Sequence, residues 1–182
     1  MQILAGKYKG KRLLAGKDLS IRPLTNRLKE SIFNILQDLV LDRHTLDLFC
    51  GSGSFGLEAL SRGAVRIDFV EQSNAAIRYL KTNLFNLKIN SDNYAIHHMD
   101  AVRFCRVSRK SYDLILMDPP FKFQALQELI EIIFNRKMLE QNGLMIIHHE
   151  IINPISAPSA AYKITDQRRY GRSLVSFVTH GE

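Results

Sequence analysis

Apolar residues follow two different periods from residue 45 onward. Continuous apolar runs of about four to eight residues are typical of buried strands, and apolar positions that recur every three or four residues are typical of amphipathic helices. The pattern predicts strands near 45–49, 66–71, 94–98, 113–117 and 144–149 and helices near 54–62, 74–87, 101–107 and 125–139. Because strands alternate with helices, we expect right-handed crossovers and a parallel sheet covered on both faces.

Residues 1–42 have a pattern of their own. Apolar residues alternate loosely around Lys9-Gly10-Lys11, which predicts a short hairpin with lysines at its tip. A helix is expected after Pro23, with an apolar face formed by Leu28, Ile32, Ile35, Leu36 and Leu39. Arg27, Lys29 and Asn34 fall outside that face, so this helix is expected to pack on the body and present a basic side.

Turn residues mark the remaining boundaries. Gly63 suits the end of the helix at 54–62, and Asn142-Gly143 suits a turn before the fifth strand. Near the end of the chain, two apolar runs that begin at Tyr162 and Ser173 flank the polar stretch 168–171. They predict an antiparallel hairpin at the edge of the sheet.

Length and composition limit the class of protein. A chain of 182 residues that is 46% hydrophobic fits one domain with a substantial core, or one domain plus a small extension. The apolar runs are far shorter than the roughly 20 residues of a membrane-spanning helix. Cys50 and Cys105 lie in separate apolar segments, and residues 1–6 lack the features of a secretory signal. We therefore expect a reduced, cytoplasmic protein without disulfides and without a membrane partner. No feature of the sequence requires more than a monomer.

Positive charge is concentrated at the N-terminus. The chain has a net charge of +7, and residues 1–30 contain eight lysine or arginine side chains against two carboxylates. A basic arm on a nearly neutral body is typical of a protein that binds a phosphate backbone, although a solvated surface would have the same composition. The charge pattern favours nucleic acid as a partner.

A glycine-rich turn follows the first predicted strand. The segment Asp47-Leu-Phe-Cys-Gly51-Ser-Gly53-Ser-Phe-Gly56 leads from a strand into a helix, so its backbone can approach a ligand without obstruction by Cβ atoms. Glu71 ends the next strand, where a carboxylate can accept hydrogen bonds from ribose hydroxyls. These features fit both NAD and S-adenosylmethionine, and a tight turn without a ligand is the simplest alternative.

Asp47 favours S-adenosylmethionine over a dinucleotide. A carboxylate inside the turn can bind a cationic amino-acid group but would repel a pyrophosphate. After the third strand, Asp100 and Ala101 could contact adenine through a carboxylate and a backbone N–H, or Asp100 could simply cap the next helix. Cys50 has no general base beside it in the sequence and is interpreted as a packed thiol.

Asp118-Pro119-Pro120-Phe121 closes the fourth predicted strand and is suited to binding an amino group. The exocyclic amine of a nucleobase is a poor nucleophile because its lone pair is delocalised into the ring. Asp118 and the Pro119 carbonyl can each accept one N–H and localise that pair, and the two prolines stiffen the segment. Phe121 offers a face on which a base can stack. The alternative is a strand-ending turn with a buried Phe.

Four histidines adjoin predicted strand ends, in the pairs His97-His98 and His148-His149. They lack partners at the spacing of a metal site. The sequence therefore predicts no metal centre, and we assign these histidines no chemistry.

With these residues identified, the chain resembles the bacterial small-subunit ribosomal RNA guanine-N2 methyltransferases of the RsmD type. The resemblance is carried by residues 3–12, by Arg22-Pro-Leu-Thr25-Asn-Arg27 with Glu30 and Phe33-Asn34, by the glycine-rich turn, by residues 118–121 and by Tyr170-Gly171. It implies a Rossmann-like class I S-adenosylmethionine-dependent methyltransferase with a seven-stranded, mostly parallel α/β sheet and an antiparallel last strand. It also implies that the acceptor is a guanine of 16S rRNA within the small ribosomal subunit or an assembly intermediate.

The resemblance and the residue chemistry together assign roles. Residues 1–42 are expected to be a basic RNA-contacting extension and residues 43–182 the methyltransferase domain. Cofactor binding is assigned to Asp47, Phe49, Gly51, Ser52, Gly53, Glu71, Asp100 and Ala101. Catalysis is assigned to Asp118, Pro119, Pro120 and Phe121. RNA binding is assigned to Lys7, Lys9, Lys11, Arg12, Arg22, Thr25, Arg27 and Arg169.

Some positions depart from the family pattern. Cys50 replaces the usual alanine, Asn26 stands where aspartate is common, and the residues after Phe121 lack the usual Gly or Tyr. These differences are expected to change packing or affinity and to leave the reaction type intact. An adenine-N6 methyltransferase and a non-enzymatic RNA-binding module are the alternatives; the first would use the same Asp-Pro-Pro-Phe, and the second would not bind S-adenosylmethionine.

Overall fold

The computed structural model describes residues 1–16, 26–155 and 161–181. Its helices are α1 (Asn26–Leu36), α2 (Ser54–Ser61), α3 (Asn74–Asn86), α4 (Ala101–Val107) and α5 (Leu126–Asn135). Its strands are β1 (His44–Leu48), β2 (Arg66–Glu71), β3 (Tyr94–His98), β4 (Tyr112–Met117), β5 (Leu139–Glu150), β6 (Tyr162–Tyr170) and β7 (Ser173–His180). Short 3-10 helices lie at Gln37–Val40 and Ser91–Asn93.

All seven strands form one sheet, in the order β3-β2-β1-β4-β5-β7-β6. Strands β1 to β5 are parallel, and β7 is antiparallel to both of its neighbours. The seven-stranded sheet with an antiparallel last strand and the hairpin at its edge are therefore confirmed. Leu48 is in register with Met117, and Met117 is in register with Ile147. The residues that follow these three positions consequently emerge at one edge of the sheet.

Two apolar layers cover the sheet. One layer contains buried apolar residues of α1 and α2, Leu80 and Leu84 of α3, and Ile3 and Leu13 from the N-terminal hairpin. The other contains the buried residues of α4 and α5 with Tyr162. The alternation of strands and helices predicts this division, because successive right-handed crossovers place helices on both faces.

The N-terminal hairpin is present and packs on α2. We use this name for residues 1–13, in which Gln2 pairs with Arg12 and the Ile3 N–H donates to the Lys11 carbonyl at 2.9 Å. The Lys7 N–H donates to the carbonyl of Ser61, the last residue of α2, at 2.7 Å. The tip of the hairpin therefore lies beside the C-terminal end of α2.

Glu58 of α2 binds this hairpin to the body. Its carboxylate is fully buried and accepts hydrogen bonds from the Leu4 and Ala5 N–H groups at 2.8 and 3.1 Å. Lys29 Nζ lies 3.2 Å from Oε2, and Arg62 Nε lies 2.9 Å from Oε1. A buried carboxylate with four donors satisfies the condition under which burial of charge is tolerated.

Lys29 corrects the predicted basic side of α1. The side chain is fully buried and donates from Nζ to the Gln2 carbonyl at 2.8 Å and to Ser54 Oγ at 3.2 Å. Burial lowers the pKa of Lys29, and the neighbouring Glu58 opposes that shift. Lys29 therefore stabilises the fold and presents no charge to a partner.

The apolar face of α1 also ends earlier than predicted. Gln37 has a φ of 42°, which interrupts the α-helix, and a 3-10 helix follows. Leu39 is consequently 53% exposed, although the helical period placed it on the buried face.

The segment around residues 136–144 differs from the prediction as well. Helix α5 ends at Asn135 instead of 139. Two residues later, Lys137 adopts a φ of 53°. Strand β5 begins at Leu139, and its register with β4 shifts between the pairs Tyr112–Leu139 and Leu114–Leu144. Asn142 and Gly143 thus lie in an irregularity within the strand and do not form a turn before it.

Within the described ranges, no helix is both long and apolar enough to span a bilayer.

Replacing Glu58 with alanine removes both acceptor oxygens and leaves the Lys29 ammonium buried without its carboxylate. We expect the free energy of unfolding to fall by about 3–5 kcal/mol, measured by urea denaturation. Glu128→Ala is the control, because Glu128 pairs with Arg106 at the surface and such pairs contribute up to about 1 kcal/mol. Equal losses in the two variants would contradict the role given to the buried pair.

Candidate active site

The glycine-rich turn begins directly after β1. Phe49 and Gly51 have φ values of 60° and 55°, and Gly53 has a φ of 85°. A Cβ on Gly51 would meet no atom within 4 Å, so this backbone faces open space. A Cβ on Gly53 would lie 2.4 Å from Leu80 of α3. Gly51 therefore leaves room for a ligand, whereas Gly53 permits close packing.

Asp47 is buried beneath this turn with one oxygen unpaired. Its Oδ2 accepts a hydrogen bond from the Gly56 N–H at 2.8 Å, and its Oδ1 has no partner among the described residues. Burial raises the pKa of Asp47 well above its usual range, and the charges of Asp118 and Glu71 raise it further. An unpaired buried carboxylate oxygen near two other carboxylates is suited to a cationic ligand.

Glu71 positions the turn. Its Oε2 accepts from the Gly51 N–H at 2.9 Å, and its Oε1 accepts from the Ser73 N–H at 2.7 Å. Each carboxylate oxygen can accept a second hydrogen bond, so a ribose contact remains compatible with this geometry.

Asp100 caps α4. It accepts a hydrogen bond from the Arg103 N–H at 2.9 Å, as the capping alternative anticipated, and Ala101 is buried at the first position of the helix. The contact of Asp100 and Ala101 with adenine stays a prediction.

A cleft of about 180 Å³ lies over the turn. Four of the predicted cofactor residues line it: Asp47, Phe49, Gly51 and Ser52. Tyr79 of α3 and Asp118 also line the cleft. Met1, Ala15 and Gly16 also line it, and the sequence did not predict these three because no residue-level pattern connects such small or apolar side chains to a ligand.

The cleft fits the amino-acid end of S-adenosylmethionine. Its lining contains two carboxylates, and the unpaired Asp47 oxygen can accept from an ammonium group. A pyrophosphate would be repelled by the same carboxylates. The residues present therefore fit the cofactor that the sequence favoured and disfavour a dinucleotide.

Cys50 does not act as a nucleophile in this geometry. Its side chain is buried, and burial with the nearby Asp47 and Glu71 charges raises the pKa of its thiol well above the usual range. The thiolate is the reactive form, so Cys50 stays an unreactive, packed thiol.

The Asp118–Phe121 segment leaves the sheet at the end of β4. Asp118 retains 23% exposure and accepts a hydrogen bond at Oδ1 from His148 Nδ1, at 2.7 Å. The Pro120 carbonyl accepts from the Phe123 N–H at 2.8 Å, and no turn or loop hydrogen bond of the described residues ends on the Pro119 carbonyl. Phe121 is 38% exposed. The segment therefore presents two free acceptors and an accessible ring.

His148 is a site residue that the sequence reasoning missed. It lies on β5, beside the end of β4, and is 5% exposed. Its Nε2 lies 2.9 Å from Ser173 Oγ, and its ring centroid lies 6.0 Å from that of Phe121. Aligning the carboxyl ends of the fourth and fifth predicted strands would have placed it near Asp118, whereas its spacing in the sequence gave no indication.

A second, larger cavity of about 800 Å³ is lined by Phe121. We call it the acceptor groove; its lining residues include Arg27, Phe121, His148, Glu150, Arg169, Tyr170 and Arg172. Two residues assigned to RNA binding, Arg27 and Arg169, are thus brought together from opposite ends of the chain. Arg172 was not predicted.

The remaining residues assigned to RNA binding lie elsewhere. Lys7, Lys9, Lys11 and Arg12 are exposed on the N-terminal hairpin, beside the end of α2 that is farther from the glycine-rich turn. Eight residues of α-helix span about 12 Å, which separates this tip from the turn. Arg22 and Thr25 lie outside the described residues.

His97 belongs to a structural network. Its Nε2 lies 3.1 Å from Asp68 Oδ2, which also accepts from Lys110 Nζ at 2.6 Å and from the Tyr112 hydroxyl at 2.9 Å. Although burial opposes ionisation, these hydrogen bonds lower the pKa of Asp68 well below its usual range. Over the described residues, no three His, Cys, Asp or Glu side chains are grouped as metal ligands.

A seven-stranded sheet with a buried acid under its first glycine-rich turn and Asp-Pro-Pro-Phe at the end of β4 defines a class I methyltransferase. Comparison with known proteins then identifies the family. The family model described as "Conserved hypothetical protein 95" matches residues 1–179, and the chain belongs to this family. The predicted membership of the RsmD-type group is confirmed.

Curated relatives and solved structures agree with this assignment. The chain is 35% identical over 160 residues to the "Ribosomal RNA small subunit methyltransferase D" of Buchnera aphidicola subsp. Baizongia pistaciae, covering 87% of this chain and 81% of that protein. It is 31% identical to the protein of the same name from Haemophilus influenzae, covering 87% and 83%. The structure of the Escherichia coli protein yhhF superposes with a TM-score of 0.88 at 27% identity, covering 100% and 98%.

Replacing Asp47 with asparagine keeps an oxygen for the Gly56 N–H and removes the charge. We expect the affinity for S-adenosylmethionine, measured by calorimetry, to fall about tenfold or more, because a charge-assisted hydrogen bond contributes about 1.5–3 kcal/mol. Asp42→Asn, in the exposed turn that precedes β1, is the control. Unchanged affinity in Asp47→Asn would contradict a cationic partner for Oδ1.

The Asp47→Asn variant is also expected to be more stable than the wild type at neutral pH. Because the pKa of Asp47 is raised in the folded state, its stabilising contribution is complete below the usual Asp pKa of about 4 and is lost as pH rises. The free energy of unfolding, measured by urea denaturation, should therefore be higher in Asp47→Asn than in the wild type above about pH 4. The difference should reach about 1 kcal/mol or more at pH 7. A difference that stays constant with pH would contradict the raised pKa.

Proposed function

We propose that this protein transfers a methyl group from S-adenosylmethionine to the exocyclic N2 amine of a guanine in small-subunit ribosomal RNA. The observation that carries the proposal is the position of residues 118–121 between two cavities. Asp118 lines the cleft that contains Asp47, and Phe121 lines the acceptor groove. One short segment thus contacts both the donor side and the acceptor side of a transfer reaction.

On the donor side, the protein binds and orients. Asp47 and the open backbone at Gly51 would hold the amino-acid end of the cofactor, and Glu71 would accept hydrogen bonds from its ribose. When bound, S-adenosylmethionine supplies a methyl group activated by a positively charged sulfur. The carboxylates around the cleft favour that positive charge.

On the acceptor side, Asp118 and Pro119 bind the amine through hydrogen bonds. The Asp118 carboxylate can accept one N–H, and the free Pro119 carbonyl can accept the other. These contacts localise the nitrogen lone pair and aim it at the cleft. The nitrogen becomes acidic once it carries the methyl group, so Asp118 or water can take its proton without a stronger base.

Phe121 and the acceptor groove provide for the base and its backbone. The exposed Phe121 ring can stack on a base, which contributes about 1–3 kcal/mol. A paired base would first have to be extruded from its helix. Arg27, Arg169 and Arg172 line the groove, and within the described ranges none of them pairs with a carboxylate. They are therefore available to phosphates.

The names of the relatives support the choice of RNA. Two of the proteins described above are named small-subunit ribosomal RNA methyltransferases, and the basic residues of the groove and of the hairpin suit a polyanion. We propose that the partner is ribosomal RNA in the small subunit or its assembly intermediate. The enzyme would act on it in the cytoplasm as a monomer.

Replacing Asp118 with alanine is expected to abolish methyl transfer and to leave cofactor affinity nearly unchanged. The assay uses labelled S-adenosylmethionine and small ribosomal subunits from cells that lack the enzyme, followed by nucleoside analysis. Asp113→Ala is the control, because Asp113 lies near the start of β4, at the end of the strand opposite to Asp118, and pairs with Arg43. Full turnover in Asp118→Ala would overturn the assignment, and N6-methyladenosine as the wild-type product would establish the adenine alternative.

Two sets of basic residues are expected to contribute differently to RNA binding. Neutralising Lys9, Lys11 and Arg12 should weaken binding and flatten its salt dependence without lowering turnover at saturating RNA, because the hairpin tip is remote from Asp118. Neutralising Arg27, Arg169 and Arg172 should weaken binding and also lower turnover, because these residues line the groove beside Phe121. An unchanged salt slope in either set would show that its charges are only a solvated surface.

A further inference from the structure

We infer that His148 is a positioning residue for methyl transfer: it fixes the Asp118 carboxylate with one oxygen free for the acceptor amine and supports the Phe121 ring. This inference rests on the proposed function for its role in turnover, but the hydrogen-bonded pair itself can be tested in the free protein. No part of the sequence pattern assigns a role to His148.

The hydrogen bond to Asp118 determines which ring nitrogen carries a proton. Asp118 Oδ1 lies 2.7 Å from His148 Nδ1, and an ionised carboxylate can only accept. Nδ1 therefore donates. Asp118 Oδ2 has no hydrogen-bond partner among the described residues. The imidazole thus occupies one oxygen and leaves the other for an incoming N–H.

The far side of the ring is also held. His148 Nε2 lies 2.9 Å from Ser173 Oγ, and Ser173 Oγ can donate to the Tyr170 carbonyl at 3.1 Å. The Tyr170 hydroxyl lies 2.5 Å from Ser31 Oγ on α1. Hydrogen bonds thus connect Asp118 to His148 on β5 and Ser173 on β7, and the Tyr170 side chain at the end of β6 connects the neighbouring turn to α1. A ring bonded at both nitrogens has one orientation, and so does the carboxylate that it binds.

His148 contacts both groups that receive the base. Its ring meets Phe121 edge to face, with the ring planes at 71°. The ring is 5% exposed, so it does not compete with substrate for space, although it forms part of the groove wall. The charged groups that line this groove are Arg27 from α1, Glu150 from β5 and Arg169 and Arg172 near the β6–β7 turn, and Asp118 reaches the ring from the cofactor cleft.

His149 provides a matched control. It is the next residue of β5, is 2% exposed, and places its Nε2 2.9 Å from Ser176 Oγ. Its Nδ1 lies 3.0 Å from the Asn153 carbonyl, on the opposite face of the sheet from His148. It therefore has the same burial and the same kind of serine partner but no contact with Asp118.

The decisive experiment compares His148→Ala, His148→Gln and Ser173→Ala with His149→Gln, at a temperature at which all are folded. We expect His148→Ala to lower kcat about tenfold or more, with cofactor affinity within about twofold of wild type. Added imidazole should restore part of the activity of His148→Ala. His148→Gln and Ser173→Ala should lie between His148→Ala and wild type. Equal loss in His148→Ala and His149→Gln, or no loss in either, would overturn the inference.

A second readout does not depend on activity. Nitrogen NMR of the free protein should show a proton on His148 Nδ1, and Asp118→Ala should shift the ring-nitrogen signals of His148 but not those of His149. Unshifted His148 signals would overturn the inference even in an active enzyme. Conversely, a wild-type protein that transfers no methyl group to RNA but shows the shift would contradict the proposed function and leave the pair established.

Discussion

The arrangement of the site depends on the hydrogen bonds and ion pairs of the buried Glu58 carboxylate. It accepts from the Leu4 and Ala5 N–H groups and pairs with Lys29 and Arg62. It therefore connects the N-terminal hairpin, α1 and α2 at one point. Because the hairpin is held there, Met1, Ala15 and Gly16 can form a wall of the cofactor cleft. The N-terminal segment thus contributes to the donor side as well as carrying basic charge.

The active site concentrates negative charge that opposes folding. Asp47, Glu71 and Asp118 interact closely enough to raise the pKa of Asp47, and burial is the larger cause. A fold optimised for stability alone would not retain an unpaired carboxylate oxygen in its interior. The same electrostatic cost is relieved by a cationic ligand, so binding energy and folding energy are coupled at one residue.

Most secondary structure was predictable because its causes are local. The strands at 66–71 and 94–98 and the helix at 101–107 have the predicted bounds, since apolar period and the Asp100 cap both act over a few residues. Lys29 was misplaced because its partner, Glu58, is distant in sequence and is supplied only by the fold. Leu39 was misplaced because a positive φ at Gln37 interrupts the helical period.

The chemistry of the site was predictable to a different extent. The positions of Asp47 and Asp118 follow from motifs at strand ends, and the structure places both on one cleft. His148 and Arg172 could not be found this way, because their relation to Asp118 and Phe121 depends on strand register and on the insertion of β7 between β5 and β6. A sequence motif identifies the residues that bear the chemistry, whereas the residues that orient them are fixed by tertiary structure.

The two cavities differ in the part of the chain that builds them. The described residues that line the cofactor cleft all precede Pro119, whereas the acceptor groove also requires residues 148–173. During synthesis from the N-terminus, the lining of the cofactor cleft is complete while much of the acceptor wall has yet to be made. The ribosome therefore makes the residues that line the cofactor cleft first. The residues that complete the acceptor groove are made only with the final hairpin.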